Sequence, residues 1–185
     1  MSQAAELLDA LAEYRYARLR LLQLLNVPVS NRDPLSEFAE RLVAALSSGV
    51  MAENRNQPAW DVRLPDGATV QVKYLANPAT GRWVNEHPVR RIVGADWYAI
   101  VLIEDFAVTG VLMFPCSGLA PIGAALNKRG ALALEAGWDL TRGNWVAIRD
   151  QPDRFRALGM RVLLPPEFKE PDCVDFAPRA SKLID

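Results

Sequence analysis

Residues 60–74, WDVRLPDGATVQVKY, constrain the fold of this chain more than any other stretch. Val62 and Leu64 alternate with Asp61 and Arg63, and Val70 and Val72 alternate with Thr69, Gln71 and Lys73, on either side of Pro65-Asp66-Gly67. Strict alternation across such a turn predicts a β-hairpin. The turn residues fit a three-residue loop: Pro at the first central position of a type I turn, Asp next, and Gly in the left-handed region. That loop sets Leu64 opposite Ala68, Arg63 opposite Thr69 and Asp61 opposite Gln71. Opposed residues share a face, and Lys73 lies two positions further along it. The register therefore gathers Asp61, Gln71 and Lys73 on one side and Val62, Leu64, Val70 and Val72 on the other. Thr69 and Arg63 share the polar side as ordinary strand surface. A two-residue loop would set Asp61 against Val72 and scatter the group.

A chain of 185 residues, half of them hydrophobic and with a formal net charge of −1, suits one soluble globular domain. The expected organisation is an N-terminal helix and linker over 1–30, a core over 31–115 and a C-terminal helix and strand region over 116–185. No basic excess advertises a nucleic-acid partner, although the cations are 17 Arg against 4 Lys. Arg suits bidentate phosphate contacts; a GC-rich coding sequence accounts for the same bias. The cysteines, Cys116 and Cys173, form neither a zinc pattern nor a disulfide framework, which points to a reducing compartment. With no signal-peptide pattern and no apolar run of membrane-spanning length, the expected location is the cytoplasm.

Along the chain, Leu7, Leu8, Leu11, Tyr14, Leu21, Leu22 and Leu25 recur at roughly helical spacing, predicting a helix from a Ser2 cap to about residue 25. Asp33 and Pro34 predict the start of a second helix. Its stripe is Leu35, Phe38, Ala39, Leu42, Val43 and Leu46, and Gly49 ends it. Glu40 lies beside the stripe, on the flank of Ser36 and Ser47. After the hairpin, residues 76–95 read as a long loop containing at most a helical turn. Residues 97–103 read as a central strand, Glu104-Asp105 as a turn, and residues 106–114 as a strand with a bulge at Gly110. Residues 118–135 read as helix, 145–148 as a short strand, a short helix starts at Pro152, and residues 160–164 form a last strand. The tail from Pro165 is irregular. The fold class is α/β (α+β), a central mixed sheet flanked by helices.

A carboxylate, an amide and a lysine on one sheet face suit metal-assisted hydrolysis. Hard cations such as Mg²⁺ take oxygen ligands. Asp61 and Gln71, with the carbonyl of Val72, supply such oxygens, and Lys73 can orient the attacking water and offset phosphate charge. Glu40 would reach the metal through water.

These residues carry a resemblance. SEFAERLVAAL followed by WDVRLPDGATVQVKYL resembles the PD-(D/E)XK nuclease superfamily, and within it small type II restriction-endonuclease-like proteins, whose helix carries an AExLVA run and whose second strand carries QVK. Glu40, Asp61, Gln71 and Lys73 occupy the pattern's positions, and the order helix, hairpin, strand, strand, helix matches its common core over roughly residues 30–115. The resemblance implies a restriction-endonuclease-like core and a Mg²⁺-dependent DNA endonuclease, with Mn²⁺ able to substitute. It further implies double-stranded DNA as partner, a homodimer for double-strand cleavage and a cognate DNA methyltransferase in a restriction-modification setting. Gln71 stands where the family more often has Glu and removes one charge. The alternative expectation is therefore a catalytically silent DNA- or protein-binding relative in a defence system.

Arg82, Trp83, Asn85, Arg90 and Arg91 in the long loop, and Lys128 and Arg129 beyond it, are candidate DNA contacts. A solvated loop, with Trp83 anchoring it to the core, explains the loop residues equally, and a solvated helix face explains Lys128 and Arg129 better. Arg142, Asn144 and Arg149 read as solvated. His87, the sole histidine, lacks a Ser or Cys partner pattern and reads as structural, and Cys116 reads as core. No Gly-rich phosphate loop is present, which removes support for nucleotide-dependent classes.

Overall fold

The computed structural model describes residues 3–26, 34–52, 59–83 and 87–165. The Ser2 and Asp33 caps, Asn85, Cys173 and the tail from 166 lie outside the described residues. Two helices come first, α1 (Gln3–Leu24) and α2 (Leu35–Leu46). The strands β1 (Val50–Met51), β2 (Val62–Arg63) and β3 (Thr69–Asn77) form an antiparallel meander. After β4 (His87–Arg90), the strand β5 (Trp97–Glu104) runs parallel to β3, and β6 (Ala107–Pro115) returns beside it. The helices α3 (Leu119–Ala125) and α4 (Ala131–Ala136) precede β7 (Gly137–Leu140). Helices α5 (Arg142–Asp150) and α6 (Pro152–Ala157) lead to β8 (Arg161–Leu163). The result is a mixed α+β fold. Its main sheet has the order β1-β2-β3-β5-β6-β8, and β4 and β7 pair separately.

Both faces of the sheet are covered, which is why β5 reads as an uninterrupted apolar run. Helix α2 lays Ala39, Val43 and Ala44 on one face, against Val62, Leu64, Val70, Val72, Ala99, Val101, Val111 and Met113. The other face, with Leu75, Tyr98, Ile100, Leu102, Leu112 and Phe114, lies under β4, β7 and helices α3 to α6, which contribute Val89, Leu140, Ile122, Trp145 and Phe155. At the C-terminal end of α1, Leu22 and the following Leu25 are buried, whereas Tyr14 and Leu24 are exposed.

Several elements depart from the sequence expectations for identifiable reasons. Pro34 is the cap of α2, not its first residue. Ser48, not Gly49, takes the left-handed conformation after the helix. The stretch 118–135 is two helices, because Asn127 turns left-handed between them. Residues 145–148 are helical, not a strand. Thr141 caps α5 by accepting from the Asn144 N–H, and the Asn144 side chain accepts the Thr141 N–H in return, a capping box with Asn in place of the usual Glu. The second half of the presumed loop 76–95 contains β4, which a four-residue pattern with Pro88 conceals. Glu104 ends β5, and the turn is Asp105-Phe106, both left-handed. A bulge does occur in β6, next to Gly110: Leu102 pairs with Gly110 and Ile103 with Val108, which leaves Thr109 as the extra residue.

Candidate active site

The hairpin turn sets the site. The Leu64 N–H donates to the Ala68 carbonyl at 2.8 Å and the Gly67 N–H to the Leu64 carbonyl at 3.0 Å, with Gly67 at φ 87°. This is the three-residue loop, and it pairs Arg63 with Thr69 and Val62 with Val70. The β2–β3 pairing stops at Val62 and Val70, and the Asp61 N–H donates to the Val70 carbonyl at 2.8 Å, so Asp61 meets Gln71 through its side chain and not, as the sequence led us to expect, as the paired strand residue. Strand β3 is nine residues long and β2 only two. Beyond this point, β3 therefore meets a side chain instead of a strand. Asp61 Oδ2 accepts the Val72 N–H at 2.7 Å and also the Gln71 side-chain amide. Strand residues turn N–H and C=O to the same edge, so the Val72 carbonyl faces the Asp61 edge too. The other carboxylate oxygen, Oδ1, accepts no hydrogen bond among the described residues.

Burial raises the Asp61 carboxyl above the ordinary carboxylate value, against the lowering influence of the Val72 N–H and the Lys73 ammonium. Lys73 is exposed on the same face. A half-buried carboxylate with an open oxygen and no salt bridge among the described residues suits a hard cation.

Two residues not assigned from sequence complete the surroundings. Tyr98 pairs with Gln71 across the parallel β3–β5 ladder and therefore shares its face. The Tyr98 hydroxyl and His87 Nε2 are 2.5 Å apart, and the two rings stack with centroids 6.0 Å apart. Burial lowers the His87 imidazole below its ordinary value of 6.5, the charges of Lys73 and Arg90 lower it further, and Asp139 partly opposes them. Burial pushes the Tyr98 phenol up to about 12, so it keeps its proton. His87 is thus part of the polar cluster, not an isolated loop histidine. The signal that could have found it was the alternation from His87 to Arg90, whose partner strand lies some fifty residues away.

The remaining candidates are dispersed. Glu40 sits on α2, which covers the opposite face from Asp61, Gln71 and Lys73, and its carboxylate accepts from Ser36 at 3.4 Å. The hydrophobic stripe of α2 fixed which residues face the sheet but not which side of the sheet the helix covers. Trp83 is buried and donates its indole N–H to Glu104 at 3.2 Å, so it anchors its segment to the core instead of presenting a ring to a ligand. Arg82 and Arg90 are exposed. Arg91 lines a cavity of about 420 Å³ with Asp96, Trp97, Cys116 and Ser117. Lys128 and Arg129 lie in the α3–α4 connection, not on a helix, and Lys128 packs over the Trp138 ring. Arg142 is tied to the Ala79 carbonyl at 2.7 Å. Cys116 is buried, and burial raises its thiol, which makes it an inert core residue.

Among the described residues no group of three or more His, Cys, Asp or Glu side chains could hold a metal ion. A cation here would rely on one carboxylate supplemented by amide and backbone oxygens. No helix among the described residues is long and apolar enough to cross a membrane. No protein-family model matches the chain, and no curated protein is significantly similar to it.

Proposed function

We propose that this chain is a Mg²⁺-dependent DNA endonuclease with a restriction-endonuclease-like core. The observation that carries this reading is the Asp61 carboxylate accepting from the Gln71 side chain and the Val72 N–H, with Lys73 on the same face of β3 as Gln71. The succession α2, the β2–β3 hairpin, β5, β6 and α3 supports it, with β4 interposed. The donor set fits a hard cation in kind. Asp61 Oδ1, the Gln71 amide oxygen and the Val72 carbonyl would hold it, with Mn²⁺ able to replace Mg²⁺. When bound, the ion supplies Lewis-acid stabilisation of phosphate charge. Lys73 orients the water that attacks phosphorus and offsets the charge that builds on the phosphate oxygens. Asp61 fixes the edge by holding the Val72 N–H. Cutting both strands of a duplex would bring two copies together.

The test is plasmid cleavage with Mg²⁺. Asp61→Ala and Lys73→Ala are each expected to abolish cutting, and unchanged cutting by both would sink the assignment. One observation favours a second reading, a catalytically silent DNA- or protein-binding module. Gln71 directs its amide hydrogens, not its oxygen, toward Asp61, and no metal-holding group of three or more acidic, His or Cys side chains occurs among the described residues. Salt-dependent DNA binding with no cleavage under either Mg²⁺ or Mn²⁺ would select that reading.

A further inference from the structure

A cavity of about 420 Å³ opens between residues 91–97 and the end of β6, a size within the range of small-molecule pockets. Its walls are apolar at Ile92, Val93 and Pro115, and its polar members are Arg91, Asp96 and Ser117. Val93 is 90% exposed, an apolar rim with nothing packed on it. Asp96 is held between β3 and the end of β6. Its N–H donates to the Thr69 carbonyl at 3.0 Å, and its carbonyl accepts the Cys116 N–H at 2.8 Å. Its Oδ2 accepts the Thr69 N–H at 2.8 Å and the Thr69 hydroxyl at 3.0 Å. Oδ1 accepts no hydrogen bond among the described residues. Arg91 is anchored by its N–H on the Ala136 carbonyl at 3.2 Å. Its exposed guanidinium makes neither a hydrogen bond nor an ion pair among the described residues. Two opposite charges thus line one cavity without closing on each other. Thr69 lies two residues before Gln71 and so shares its face of β3. Asp96, bonded to the Thr69 hydroxyl, borders that face about 7 Å along the strand from Gln71.

We infer that this cavity receives an unpaired cytosine of the DNA strand, with Arg91 and Asp96 as the residues that select it. A guanidinium only donates and a carboxylate only accepts. The Watson–Crick edge of cytosine is an amino donor followed by two acceptors, N3 and O2. The amino group suits Asp96 Oδ1, and the two acceptors suit the fork of Arg91. Thymine sets its O4 acceptor where cytosine has the amino group, against the carboxylate. Guanine offers two donors where the fork requires acceptors, and adenine offers the fork one acceptor instead of two. The base enters where the strand is single or a nucleotide has swung out of the duplex. This inference rests on the nuclease reading only for the strand that supplies the base, and base binding is measured without metal or cutting.

Fluorescence anisotropy of end-labelled single-stranded oligonucleotides, with chelator present, measures the preference. An oligothymidine carrying one central cytosine is expected to bind about tenfold more tightly than an all-thymidine strand of the same length. Arg91→Ala, at an exposed position, should bring both strands to the same weak affinity. Asp96→Asn is the decisive variant. The Thr69 N–H retains an acceptor in the amide oxygen, so the amide NH₂ takes the place of Oδ1 and donates where the carboxylate accepted. The preference should then turn from cytosine to thymine, a reversal that loss of folding cannot produce. Free dCMP serves as competitor and is expected to displace the cytosine strand only at far higher concentration. Binding of dCMP as tight as that of the strand would overturn the assignment of the base to DNA. Equal affinity of the parent for the two oligonucleotides would overturn the inference, even where cutting depends on Asp61. A cytosine preference in a protein that does not cut would support the pocket while the nuclease reading fails.

Discussion

The carboxylate of Asp61 accepts the backbone N–H of Val72 at 2.7 Å, at the point where β2 has ended and β3 continues. One side chain thus completes the sheet edge and carries the chemistry proposed for it. The two roles separate by substitution. Asp61→Asn keeps an acceptor for Val72 and Gln71 and removes a charge that burial disfavours. Its melting temperature is expected to equal or exceed that of the parent in chelator, while cleavage falls by about 100-fold or more. Asp61→Ala strands both donors and is expected to cost about 1–2 kcal/mol in urea unfolding. An Asn variant less stable than the Ala variant would contradict this account.

Glu104, unlike the half-buried Asp61, is a buried carboxylate with both oxygens engaged. Its Oε1 accepts the Trp83 indole at 3.2 Å and its Oε2 the Trp145 indole at 3.3 Å. It joins the segment leading to β4, and so to His87, to helix α5. Glu104→Leu leaves two buried N–H groups unpaired and is expected to destabilise by about 2–4 kcal/mol. Glu104→Gln retains one acceptor and should lose about half of that. Urea titrations followed by tryptophan fluorescence give both values, and equal costs for the two variants would rule out the paired-indole account.

The His87 environment makes stability depend on pH. Burial, Lys73 and Arg90 hold the folded imidazole below 6.5, with Asp139 opposing and the Tyr98 hydroxyl at Nε2. The folded chain therefore binds the proton less readily than the unfolded one. The contribution is complete above the unfolded value and is lost as pH falls through the lowered folded value. Between about pH 7 and pH 5, the parent should lose stability more steeply than His87→Gln. Parallel curves for the two proteins would show that the ring does not titrate as its surroundings require.

The parts of this fold that were legible in sequence are those fixed by local chemistry. Pro65-Asp66-Gly67 specified a turn and the turn specified the register as far as Val62 and Val70, beyond which Asp61 meets Gln71 through its side chain and not through the ladder. The stripe of α2 and the apolar run of β5 followed from periodicity. What was hidden depends on distant partners. Strand β4 is short, contains Pro88 and exists through its pairing with β7. The run from Trp145 to Ile148 looks like a strand until the Thr141–Asn144 cap sets a helix. Glu40 has the right spacing on its helix, but the face of the sheet that α2 covers is a tertiary choice. Tyr98 lies inside the apolar run of β5, and nothing local reveals a hydroxyl that meets a histidine.

Two glycines beside the site separate conformational from steric control of Asp61. Gly67 has φ 87° and nothing within 4 Å of where a Cβ would lie. Gly67→Ala is therefore expected to cost about 1 kcal/mol through backbone strain alone, with cleavage kinetics of the folded protein unchanged. At Gly49 a Cβ would lie 2.8 Å from Val62 Cγ1 and 2.9 Å from the Arg63 carbonyl oxygen. A backbone oxygen in a paired strand cannot yield cheaply, so Gly49→Ala must push β2 away from α2. Val62 is the neighbour of Asp61, and that displacement reaches the bond to Val72. Gly49→Ala is thus expected to destabilise more than Gly67→Ala and also to reduce cleavage by the fraction still folded. Stability by urea titration and cleavage rates normalised to folded protein distinguish the two. Full specific activity in folded Gly49→Ala would show that the position of β2 does not govern the site.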